Sequence, residues 1–116
     1  MTTLPVDSIV DRLAAQSDNR TAFELMQNYM ALPAPTYIAR PEAVFVSVPD
    51  ADDLLPWLFE LGGVIHKSPE FEGVELWTLH TQTPADGRGR RGEIRVSVPL
   101  PVGEPVMPEV AQAVAR

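Results

Sequence analysis

The chain has 116 residues, 45% of them hydrophobic and 22% charged, with a formal net charge of −7 and no cysteine. This composition describes a single folded domain (1–116) with room for a modest core rather than a disordered chain. It excludes disulfides, thiolate metal sites and cysteine nucleophiles.

The N-terminus, "MTTLPVDSIV", lacks the basic start and long apolar core of a secretory signal. No apolar run approaches the ~20 residues that span a bilayer, so a cytoplasmic location without membrane contact is expected. Eight of the nine basic residues are arginine, and alanine and proline are plentiful, a coding habit of GC-rich bacterial genomes. Residues 1–32 read as helical. Val6, Ile9, Val10, Leu13 and Ala14 recur at helical spacing, with Pro5 suited to the first turn and Thr3 or Leu4 flanking it. After the polar "SDN", Thr21 stands three residues before Glu24, a capping-box spacing ahead of Phe23, Leu25, Met26, Tyr29 and Met30. Two helices forming a hairpin are therefore expected, with one long bent helix as the alternative.

Residues 36–99 read as a sheet with one intervening helix. "TYIAR" and "AVFVSV" are rich in strand formers and separated by Pro41-Glu42, which suggests a hairpin. "DADDLLPWLFELGG" is a helix stopped by Gly62-Gly63. Its acidic cluster, Asp50, Asp52 and Asp53, sits where carboxylates meet the free N–H groups of a helix start. "VIHKS" and "VELWTLHT" make a second hairpin around "PEFEG". "EIRVSV" alternates strictly, Ile94, Val96 and Val98 facing one way and Glu93, Arg95 and Ser97 the other. Residues 100–116 are a tail or short helix around "MPEVAQAVA". The expected fold is α+β: an N-terminal helical hairpin, a mostly antiparallel sheet of about five strands in the order ββ-α-βββ, and a short C-terminal helix.

The order from Val44 to Val98, a strand, a helix ending in "ELGG" and three strands, resembles one βαβββ half-module of the vicinal oxygen chelate (glyoxalase-like) family. The resemblance covers about half the chain. It implies a small-ligand-binding protein or enzyme that combines two such modules, with metal-binding His, Gln or Glu on inward strand positions. "VFVSV" offers none of these, and "EIRVSV" offers only Glu93.

Three features bear on function. Arg88, Arg90, Arg91 and Arg95 fall within eight residues, which leaves the rest of the chain at −11. Such a cluster, centred on loop 86–92, suits phosphates or an acidic protein partner, because the guanidinium fork matches these anions. The acidic body and the lack of an aromatic residue in the loop argue against nucleic acid and favour a flexible, solvated glycine-rich turn. His66 and His80 are the only histidines, and pairing numbers that sum to about 143 sets them more than ~10 Å apart, too far to share a metal. No catalytic residue, metal or cofactor is assigned.

The third feature is an apolar surplus. Leu54, Leu55, Trp57, Leu58, Phe59 and Leu61 fill about 200° of the second helix, whereas a core-facing surface helix needs little more than 100°. "VELWTLHT" is apolar on both faces, Val74 and Leu76 on one and Trp77 and Leu79 on the other, so it calls for cover on both. Trp57, Phe59, Trp77 and Leu79 are accordingly expected at a homodimer interface. The leading expectation is a small non-enzymatic interaction or regulatory module that acts through protein contacts, with itself or with another protein. The alternatives are a nucleic-acid-binding accessory protein using loop 86–92 and a glyoxalase-like ligand-binding protein or enzyme.

Overall fold

The computed structural model describes residues 6–115, with side-chain surroundings from residue 8 onwards. Its elements are α1 (Val6–Met30), β1 (Thr36–Ala39), β2 (Val44–Ser47), a 3-10 turn (Ala51–Asp53) leading into α2 (Leu54–Leu61), β3 (Val64–Lys67), β4 (Val74–Gln82), β5 (Glu93–Pro101) and α3 (Pro108–Gln112). The α+β class and the ββ-α-βββ order are those expected.

The N-terminal hairpin is not: residues 6–30 form one continuous helix. No glycine or proline interrupts them, and Ser17, Asp18 and Asn19 cost only tenths of a kcal/mol each in a helix interior. The competing local bond is also removed, because Asn19 points away from its own backbone. Its amide donates to the carbonyls of Arg40 (2.9 Å) and Pro41 (3.0 Å) instead. The helix stops at Ala31, whose φ of 48° is left-handed. The Gln27 side chain closes this end by accepting from the Leu32 N–H and donating to the Leu32 carbonyl, both at 2.8 Å. The flanking Thr3, Leu4 and Pro5 lie outside the described residues.

The sheet order is β1-β2-β5-β4-β3, antiparallel except for the parallel β2/β5 pair. The helix between β2 and β3 carries the chain across the sheet, so the last strand inserts beside β2 rather than at an edge. All the helices lie on one face. There Val44, Val46, Leu79, Ile94, Val96 and Val98 pack beneath Phe23, Leu54, Trp57 and Val110, every one of them essentially inaccessible to solvent. Phe23 lies between a tilted Tyr37 ring and a stacked Trp57 ring, with centroids at 4.7 and 6.1 Å. The Trp57 indole N–H is satisfied by the Pro33 carbonyl at 2.9 Å, tying α2 to the segment after α1.

The acidic cluster does mark a helix start. Asp53 accepts from the Asp50 N–H at 3.3 Å, ahead of α2. At the other end Gly62 (φ 70°) donates to the Leu58 carbonyl and turns the chain into β3.

Candidate functional site

With the helices on one side, the opposite sheet face is left uncovered. The observed registers align its side chains in two rows. One runs Val64, His80, Arg95, Phe45, Ile38 and the next His66, Thr78, Ser97, Ser47, Thr36. The second row is a belt of four hydroxyls ended by an imidazole, and Thr78 and Ser97 share a hydrogen bond of 3.0 Å across the strands. Ile38, Val64 and Leu76 flank the belt, each between 44 and 50% exposed.

His66 and His80 meet on this face, edge to face, with ring centroids 4.6 Å apart. This corrects the expected separation. The pairing Val64↔His80 and His66↔Thr78 is shifted by one from the expected register, which puts both imidazoles on one face and on the short diagonal. Partial burial pushes the His80 pKa below its ordinary value, and His66 and Arg95 push it further, against a smaller opposing pull from Glu93. Arg95 lies over the Phe45 ring at 5.5 Å. Its Nε is buried without a hydrogen-bond partner. Among the described residues, no three His, Asp or Glu side chains gather as a metal site would require.

The arginine cluster is divided. Arg95 belongs to the open face, while Arg88, Arg90 and Arg91 stay in the 83–92 loop. That loop is solvent-exposed and carries its own hydrogen bonds, and Asp86 organises it. The Asp86 carboxylate accepts from the N–H of Arg88 (2.7 Å) and of Arg90 (2.9 Å), and the Arg90 guanidinium lies 3.9 Å away. Those backbone donors hold the Asp86 pKa below the usual carboxylate range. Thr83 closes the base by accepting from Gly92 N–H at 2.8 Å. The asparagine-like turn chemistry of "PADG" is the local signal for this arrangement. Between this loop and α1 runs an open groove of about 660 Å³ floored by Ala22, Leu25, Met26 and Met30, with Arg90 and Arg91 on its rim.

The four expected interface residues separate as well. Trp57 and Leu79 are fully buried and Trp77 is 8% exposed, so all three belong to the monomer's own core. Lys67 covers Trp77, its ammonium 5.1 Å from the ring centroid and 3.8 Å from Glu75. Only Phe59, at 85% exposed, presents itself to solvent. The surplus on α2 is largely absorbed, since Leu55, Leu58 and Leu61 also pack against the core. Uncovered apolar side chains lie instead on α1: Ile9, Val10, Leu13, Leu25 and Tyr29 are each at least half exposed.

No helix among the described residues is long and apolar enough to cross a membrane. The chain matches no family model, and no curated protein or solved structure is detectably similar to it.

Proposed function

We propose that this protein is a non-enzymatic interaction module that works as a homodimer, with the first half of α1 as its contact arm. The observation that carries this is angular. Ile9 and Gln27 are eighteen residues apart, five whole turns, so they occupy the same side of the helix, only about 40° from Phe23. Phe23 is sealed in the core, yet Ile9 is 50% and Leu13 61% exposed. Ile9 and Leu13, one turn apart and about 40° and 80° from the Phe23 direction, therefore form an exposed apolar pair where α1 runs on past the body, beside Arg12 and Gln16. The arm also makes the molecule extended: its radius of gyration is 15.8 Å, against about 13 Å for a compact chain of this length.

A two-fold pairing of arms lets one stripe serve both subunits, since Ile9 of each copy meets Leu13 of the other in an antiparallel contact. Phe59 and the groove beside Arg90 and Arg91 remain open for a further protein partner. Light scattering at tens of micromolar tests the reading: a dimer is expected, and Leu13→Glu is expected to give a monomer with unchanged helicity. A monomer for the unmodified protein overturns it.

A further inference from the structure

We propose that the open sheet face binds a small doubly charged tetrahedral oxyanion, a phosphate or sulfate group, between Arg95, His80 and His66. On a chain of net charge −7, this face gathers three cationic or protonatable groups. Arg95 is directly opposite His80 in the β4/β5 register, and His80 touches His66. The nearest acid, Glu93, is engaged by the side-chain amide of Gln82. Arg95 itself has no acid partner among the described residues, and its buried Nε has no acceptor. The Arg95 Nη nitrogens are not among the buried atoms and carry no acid partner among the described residues, so they are the guanidinium donors that an anion on this face can reach. Phe45 holds the guanidinium from the side, its ring acting as a fixed platform.

The hydroxyls of Thr78 and Ser97 continue the row that His66 ends, beside His80 and Arg95. They add neutral donors that can turn towards an oxyanion without further charge. A cleft of about 320 Å³ beside His80 carries Arg91 and Glu93 on its wall. The charged and titratable groups around His80 are thus His66 on β3, Glu93 and Arg95 on β5, and Arg91 in the loop. Three of the four favour an anion. In the free protein partial burial, then His66 and Arg95, disfavour protonation of His80; a bound dianion favours it, so binding and proton uptake support each other.

Sodium sulfate, which keeps its double charge across the working range, is the first probe, compared with sodium chloride at matched ionic strength. Imidazole proton resonances followed by NMR are expected to show the His80 titration moved to higher pH by sulfate. Binding should tighten as the pH falls from 7.5 to 5.5. Arg95→Gln should weaken sulfate about tenfold and abolish the shift. Should Arg95→Gln not fold, the exposed His66→Gln is read in its place and must weaken sulfate several-fold. Titration of phosphate and phenyl phosphate separates the free ion from an ester: tighter binding of the ester assigns the site to an esterified phosphate, and equal binding to the free ion. An absence of any sulfate-specific shift, or a shift equally present in the variant that folds, overturns the proposal.

Discussion

His66 and His80 lie edge to face at 4.6 Å on adjacent antiparallel strands, each beside the other's cross-strand partner rather than opposite it. Partial burial disfavours the protonated form of His80, and the neighbouring His66 and Arg95 add to this. The folded-state pKa of His80 lies below its unfolded value of about 6.5. Between those two values the unfolded chain binds more protons, so stability falls as the pH drops through that window and is fully present above it. The thermal midpoint in chloride is expected to fall between pH 7.5 and 5.5, and to fall less in His80→Gln. An equal fall in both proteins would place the effect on other groups.

Trp77 and Phe59 were equivalent in sequence and are opposite in structure. Trp77→Glu buries a carboxylate in the core beside Glu75 and is expected to unfold the chain. Phe59→Glu changes a side chain that is 85% exposed and should alter stability by no more than about 0.5 kcal/mol. Circular dichroism with urea titration separates them. A folded monomeric Trp77→Glu would return that residue to an interface.

Two backbone positions have opposite expected signs. A Cβ on Gly63 (φ 123°) would overlap the His80 carbonyl oxygen, so Gly63→Ala should cost at least about 2 kcal/mol. Ala31 adopts φ 48° at the end of α1, where glycine is the preferred residue, so Ala31→Gly should stabilise by about 1 kcal/mol. Chemical denaturation measures both, and a stable Gly63→Ala would show that the β3–β4 approach is looser than described.

The 83–92 loop is expected to give no micromolar binding to duplex DNA at physiological salt, because the rest of the chain carries −9. A gel shift lost on replacing Arg88, Arg90 and Arg91 with alanine would overturn this. Asp86→Ala removes the acceptor for two loop N–H groups. Faster amide exchange at Arg88 and Arg90, with the sheet unaffected, is the expected result.

Periodicity and punctuation alone determined most of the elements. Strict alternation in "EIRVSV" made Ile94, Val96 and Val98 the core side of β5, and Gly62-Gly63 ended α2, because these signals are local consequences of backbone geometry. The length of α1 was ambiguous because "SDN" is a weak breaker, and its continuity depends on Asn19 reaching a loop twenty residues away. The histidine pair was invisible for a sharper reason. A strand's side chains alternate, so an error of one residue in register exchanges the two faces and changes which neighbours meet. Composition likewise announced an apolar excess but not its address. Trp57, Trp77 and Leu79 went inside because three helices gather on one face, a fact of chain path that no local pattern contains. The same asymmetry left Arg95, His80 and the hydroxyl belt on the bare face, where only the tertiary structure could assemble them.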